Sequence, residues 1–379
     1  MRVFTSLTRS YLPKARVLAR SVKRFHPDWQ FHIVLSDDPP AGFDPAHEPF
    51  DGIVTLSELG IPGWKGWVFG HTVVELCTAV KAHAARLLVE GDADGKLMYL
   101  DPDIRVFNSL QPLADLLDAY DILLTPHLLD TEETEQAVAD NEICALQHGA
   151  FNLGFFAVRA RGEGRRFLDW WAARLLRHCI DDIPGGLFTD QRWCDLAPGL
   201  FERLHVVRDR GCNVATWNIH HRSLSRDGDG VIRAAGTPLR FYHFTGHDSG
   251  DGLGMLQRYA AAQKLARAIW QDYAAELAEA GQGRPELQDW RYGRFDNGEP
   301  IPLAARRLYR RRADLQTAFP DPFRVADRSY WSWWQTEGQA QHAAPQHAAA
   351  APPGGRIVWS TARRLGRMLR ARARARARA

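Results

Sequence analysis

The spacing of hydrophobic positions along the first hundred residues changes period as a strand–helix–strand unit does. Residues 2–6 (RVFTS) read as a short buried strand. "YLPKARVLARSVKRF" then places Val17, Leu18 and Val22 at helical spacing, and "FHIVLSDD" returns to a buried strand. This opening predicts a βαβ unit and a parallel sheet. Residues 71–90 predict a helix, and 96–100 (KLMYL) a central strand that runs into Asp101. "LQPLADLL" predicts a short helix, and "YDILLTP" and "NLGFFAVR" two more buried strands. "GRRFLDWWAARLLRHC" reads as an amphipathic helix with Phe167, Trp170, Trp171, Leu175 and Leu176 on its apolar face. "RLHVV" and "LRFYHF" are late strands, the second carrying His243 near its end.

After about residue 250 the texture changes. "LGMLQRYAAAQKLARAIWQDYAAELAEA" reads as one long helix, two turn-rich stretches follow, and "LAARRLYRRRADLQTAF" reads as another helix. Residues 251–330 are therefore expected to form a helical C-terminal extension on a body of residues 1–250. Residues 331–379 begin with "WSWW", whose tryptophans either dock onto the body or meet a membrane interface. "GQAQHAAPQHAAAAPPGG" is a low-complexity linker expected to be disordered, and a basic tail follows it. No repeat of 20–50 residues is evident.

Composition adds bounds. The chain has 379 residues, 45% hydrophobic and 25% charged, which suits one large α/β domain with an extension. Its net charge of +3 conceals nine arginines from Gly354 onward, without which the remainder carries −6. The basic character belongs to the tail, so a nucleic-acid partner is not expected. The tail suggests at most a peripheral contact with the anionic inner leaflet of a membrane. No apolar run is long enough for a transmembrane helix, and the N-terminus lacks a secretory pattern. Five scattered cysteines without a CxxC pair read as reduced core thiols in a cytoplasmic protein.

The chemistry concentrates in "MYLDPDIRVF" (98–107), where Asp101 and Asp103 follow an apolar strand one residue apart. Pro102 stops the strand, which leaves two carboxylates close together beyond its carboxyl end. In open α/β sheets ligands bind in that crevice. Repulsion between the acids is relieved by a hard divalent cation, itself free to bridge phosphates. Asp-Pro-Asp is also ordinary turn chemistry, so the motif alone leaves both readings standing. A phosphatase of the haloacid-dehalogenase type shares the Asp-x-Asp strand end. Its motif usually lies near the N-terminus with Thr or Val where this chain has Arg105.

The surroundings of the motif carry a resemblance. "VKAHAARLLVEGDADGKLMYLDPDIRVFNSLQPLADLL" resembles the core of retaining glycosyltransferases of the GT-A fold, especially glycosyltransferase family 8. "SYLPKARVLARSV" resembles the first helix of that family, "GAFNLGFFAVR" its FN-x-G stretch, and "FTDQRWCD" its Asp-Gln pair. "NVATWN" resembles its acceptor-side loop, and "FYHFTG" the end of its last strand. The resemblance covers roughly residues 1–250. It implies a Rossmann-like GT-A α/β fold and transfer of a sugar from a nucleotide-sugar, with a UDP-sugar the favoured donor, to a glycan or lipid-linked acceptor. It implies Mn²⁺, or Mg²⁺, held by Asp101, Asp103 and His243. Thr5, Tyr11, Lys81, Asp101, Asn152 and Gly154 are implied to bind the donor, with Tyr11 stacked on the base. Asp190 and Gln191 are implied as the catalytic pair, and Asn213, Trp217 and Asn218 as the acceptor side.

Two oxygens and an imidazole suit Mn²⁺ better than Mg²⁺. A solvated helix lysine is an equal reading of Lys81, and a helix N-cap an alternative reading of Thr189-Asp190. His220 and His221 in "WNIHHR" read as polar pocket wall or surface rather than metal ligands. The chain departs from the family at Thr8, where an acidic residue is common. It also lacks the lysine that commonly follows the last motif, leaving His247 as the nearby candidate. The alternatives are a non-catalytic sugar or nucleotide-binding module, a sugar-nucleotide nucleotidyltransferase, and the Asp-x-Asp phosphatase.

Overall fold

The computed structural model describes residues 1–92 and 94–343. In chain order the strands are β1 (Arg2–Leu7), β2 (Gln30–Leu35), β3 (Gly52–Thr55), β4 (Lys96–Leu100), β5 (Ile104–Val106), β6 (Ile122–Pro126) and β7 (Phe151–Arg159). There follow β8 (Asp181–Asp182), β9 (Leu187–Phe188), β10 (Leu204–Val206), β11 (Leu224–Arg226), β12 (Ile232–Ala234), β13 (Thr237–Pro238) and β14 (Phe241–His243). A central sheet takes the order β10–β6–β7–β4–β1–β2–β3. Every pairing in it is parallel except the two made by β7, which runs antiparallel to β4 and β6. The expected α/β architecture with a mostly parallel sheet is what the chain forms.

Both faces of this sheet are covered, which is why its strands read as continuous apolar runs. Alternate residues serve opposite cores. Phe156 and Val158 join Phe4 and Tyr99 on one side, while Phe155 and Ala157 join Val3, Met98 and Leu100 on the other. The helices Val73–Leu88 and Gly162–His178 cover the first face, and Leu12–Phe25 and Gln111–Ala119 the second. Thr72 and Glu75 form a reciprocal cap that starts the Val73–Leu88 helix and fixes its phase.

Several expectations need correction. On Gly162–His178 the buried apolar side chains are Phe167, Leu168, Trp171, Ala172 and Leu175, and Trp170 and Leu176 are only partly covered. The long C-terminal helix is two, Asp251–Ala260 and Lys264–Glu279. Gln263 stands at the break and uses its side chain to accept from Leu224 N and donate to Ile219 O. The next helix is likewise split, into Leu303–Arg311 and Ala313–Ala318, at an extended Arg312. Of the cysteines, Cys179, Cys194 and Cys212 are buried, Cys77 is half-buried and Cys144 is exposed. The linker begins with a helix, Gln339–Ala343. The rest of that linker and the basic tail lie outside the described residues.

The region after residue 250 shares cores with the sheet. Tyr292, Phe295, Tyr309, Tyr330 and Trp334 join Phe69 and Leu76 in the first core, with Trp331 and Trp333 packed against it. Trp270, Tyr273 and Leu277 surround Tyr242 and Phe244 in a third core beside β14. No helix among the described residues is long and apolar enough to cross a membrane.

Candidate functional site

Beyond Leu100 the ladder between β4 and β7 makes one last bond, Asp101 N to Gly154 O at 2.8 Å. A tight turn follows, closed by Ile104 N donating to Asp101 O. β5 then leaves the sheet and pairs antiparallel with β14, setting His243 opposite Ile104. Phe244 N donates to Asp103 O at 2.8 Å, so the backbone fixes the third residue of the cluster against the second. His243 Nε2 lies 3.0 Å from Asp103 Oδ1 and 3.8 Å from Asp101 Oδ2. Two carboxylates and a buried imidazole thus converge within coordinating distance of one point. Burial pushes the Asp103 carboxyl up, but the charge and hydrogen bond of His243 outweigh it and hold it below its ordinary value. Burial likewise opposes charge on His243, and Asp103 more than compensates.

Behind the cluster stands Lys81, only 3% exposed and therefore no solvated lysine. Its ammonium is 3.4 Å from Asp101 Oδ1 and 3.0 Å from Asp190 Oδ2, and it donates to Leu153 O. Burial works against that charge, but Asp101 and Asp190 hold its pKa well above the ordinary lysine range. Asp190 is 2% exposed, and burial raises its carboxyl despite the pull of Lys81. Thr189, just before it, has φ +44°, an arrangement that costs a β-branched residue about 1–2 kcal/mol. Asp190 belongs to an irregular turn and caps no helix, since the short 3₁₀ turn Arg192–Leu196 starts after Gln191. Gln191 is committed at both ends of its amide, accepting from Leu153 N and donating to His148 O.

Two clefts meet at these residues. The larger, about 580 Å³, is lined by Lys81, Asp101, Asp103, Asn152, Gly154, Asp190, Gln191, Trp217 and His243 among others. The smaller, about 320 Å³, is walled by Ser6, Thr8, Tyr11 and Tyr99 and shares Lys81, Asp101 and Asp103 with the first. Asp101 and Asp103 therefore stand where the two join. Asn152 accepts from Gly154 N and pairs with His127 Nε2. Gly154 is required by proximity, since a Cβ there would lie 2.5 Å from His243 Cε1.

Three expected residues sit elsewhere. Thr5 is fully buried within β1 and lines neither cleft; Ser6 and Thr8 do. Asn213 and Asn218 are buried in the loop behind the cleft, where Asn218 accepts from Ala215 N and donates to Asn213 O. They shape the loop, and its members that reach the large cleft are Thr216 and Trp217. Trp217 is fixed there by donating to His127 O.

Sequence reasoning missed two groups. Tyr99 donates to Asp101 Oδ1 at 2.6 Å, and its ring lies under Lys81, so it orients both. Alternation along KLMYL was the available signal, because it puts Tyr99 on the face of Lys81. Lys14 is 2% exposed, bonds Asp248 at 2.6 Å and lies over the Tyr11 ring. Nothing in the sequence set this lysine apart, because its partner is 234 residues away.

Comparison with known proteins places the chain among relatives. No family model matches it. It is similar to YfnF, an uncharacterized protein of Bacillus subtilis (strain 168), at 28% identity over 156 residues. That match covers 40% of this chain and spans half the length of YfnF. It is also similar to the uncharacterized protein YfnD of the same organism, 25% identical over 248 residues, covering 64% of this chain and 76% of YfnD. Among solved structures it is similar to the galactosyltransferase LgtC in complex with donor and acceptor sugar analogs. There the identity is 19% and the TM-score 0.45, over 76% of this chain and 99% of the other.

Proposed function

We propose that the chain is a metal-dependent retaining glycosyltransferase of the GT-A type, resembling glycosyltransferase family 8. It would move a sugar from a nucleotide-diphosphate donor, a UDP-sugar in first place, to a hydroxyl of a glycan or lipid-linked acceptor. The observation that carries this reading is the Asp101–Asp103–His243 cluster, whose two acids line both of the adjoining clefts. A nucleotide-sugar has that layout, with a nucleoside on one side, a sugar on the other and a diphosphate between.

The residues present fit a divalent ion. Lys81 pairs with Asp101 and Asp190, and Asp103 with His243, which leaves two carboxylates and an imidazole converging on one point beside the lysine. When bound, Mn²⁺ or Mg²⁺ there would offset charge on the departing diphosphate. The small cleft, with Tyr11 and Thr8, is assigned to the base and ribose. Lys14, buried beneath this cleft and held by Asp248, is assigned to support the Tyr11 ring. Asn152 and Gln191 line the sugar side, and Trp217 the acceptor side. Asp190 is buried against Lys81, and the Gln191 amide is tied at both ends. Neither is free to form a covalent intermediate, which favours attack from the face of the leaving group. The acceptor oxygen bonds to the anomeric carbon, the bond to the diphosphate breaks, and the acceptor proton passes to the leaving phosphate oxygen. Residues 1–250 are read as the catalytic body and 251–330 as a buttress to it.

Calorimetric titration with UDP, with and without Mn²⁺, tests this reading. Metal-dependent binding is expected, with Asp103→Asn abolishing both it and turnover while the circular dichroism spectrum is kept. Metal-independent binding, or an active Asp103→Asn protein, would overturn the assignment.

A further inference from the structure

A second convergence of ligating side chains lies outside the donor cluster. Glu132 follows β6, and His220 and His221 stand in the turn after Asn218. Both imidazoles direct Nε2 at the same atom, Glu132 Oε2, at 2.8 and 3.2 Å. The three ligating atoms lie within 4.8 Å of one another. The Glu132 side chain is 2% exposed, and its other oxygen accepts from Asn141 Nδ2 at 2.8 Å. Tyr259 stacks on the His220 ring, and its hydroxyl is anchored on Asp140. Asn141 thus orients the carboxylate and the Tyr259 ring packs on His220, while the Nε2 and Oε2 atoms face one another. The two rings are in contact, with centroids 4.1 Å apart. Both histidines keep part of their surface exposed, which gives an ion a way in and water a place to complete the shell.

We propose that Glu132, His220 and His221 form a second divalent-metal site, one that takes zinc. Two imidazole nitrogens, one carboxylate oxygen and one open position match the coordination zinc prefers. The oxygen-richer Asp101–Asp103–His243 cluster suits a harder ion, so the two sites differ in selectivity. Glu132 belongs to the segment leading to Asp140, Asn141 and His148, which line the large cleft, and His220 and His221 to the loop that carries Trp217. An ion here pins those two walls together. That pinning is independent of the reaction the cleft performs.

The test uses the full-length chain carrying Asp103→Asn, stripped with a chelator and dialysed against micromolar free Zn²⁺ or Co²⁺. One ion per chain is expected, with visible Co²⁺ absorption bands and a melting temperature raised by Zn²⁺. Glu132→Gln, which keeps shape, and His221→Gln should each weaken uptake by about tenfold or more. No stoichiometric uptake, or uptake unchanged in Glu132→Gln, overturns the proposal. If the Asp103→Asn chain does not fold, the otherwise unaltered chain decides by stoichiometry, two ions supporting the site and one lost on Asp101→Asn overturning it.

Discussion

Individual contacts in the cleft have consequences out of proportion to their size. The Gly154 carbonyl ends the β4–β7 ladder at Asp101, and the absence of a side chain at Gly154 lets the His243 ring sit against it. Gly154→Ala should push that ring off its line to Asp103 at a cost of about 1–3 kcal/mol. The expected result is about fivefold or more weaker Mn²⁺-dependent UDP binding with near-normal secondary structure; unchanged affinity would show that the ring has room to yield. Away from the cleft, His83 is buried beside the Trp67 ring, and burial lowers its pKa to about 4. Its folded pKa lies below the unfolded value of about 6.5, so the unfolded chain binds the proton first. Stability should therefore fall as pH drops from about 6.5 toward 4, by up to about 3 kcal/mol from this group. Urea denaturation across that window should show a shallower acid loss for His83→Leu than for the parent. Parallel curves would remove His83 as the cause.

At the scale of elements, the break between the helices Asp251–Ala260 and Lys264–Glu279 is held by one side chain. Gln263 satisfies Leu224 N and Ile219 O, and Gln263→Ala leaves a partly buried backbone N–H unpaired. That should cost about 1–3 kcal/mol, read as a lower thermal midpoint. The break itself was not legible, because "RYAAAQKLARA" contains only good helix formers and the cause is a tertiary contact. The same holds at Arg312, which runs on from a helix of arginines. By contrast, the strands around β4 were legible because burial on both faces writes itself as unbroken apolar runs. What the runs did not reveal was the antiparallel direction of β7, since a fully buried strand reads alike in either sense. The Asp101–Asp103–His243 cluster was legible through motif order, whereas Lys14 and the Glu132–His220–His221 group were not. Their partners meet only through the fold, and a histidine pair in a loop has no periodicity to read.

Across the whole molecule, the C-terminal region and the cleft share one core. Tyr330 is fully buried, donates to Ala305 O and packs its ring near Phe69, in the same cluster as Leu76, Ala79 and Val80 of the helix that carries Lys81. Tyr330→Ala should cost about 3–5 kcal/mol and appear as a lower midpoint in a single unfolding transition. A second, separate transition would mean that the C-terminal region unfolds alone. Large stability losses far from the cleft should therefore also lower the fraction of chain with an intact cleft. The β5–β14 ladder gives this unity a direction in time. His243 reaches Asp103 from 140 positions further along the chain, by way of only three paired residues on each strand. Such a long closure is slow and forms after the local helices and the first βαβ unit. Competence to bind metal should thus be among the last properties acquired on refolding, lagging the far-ultraviolet signal, and the first lost when the chain begins to open.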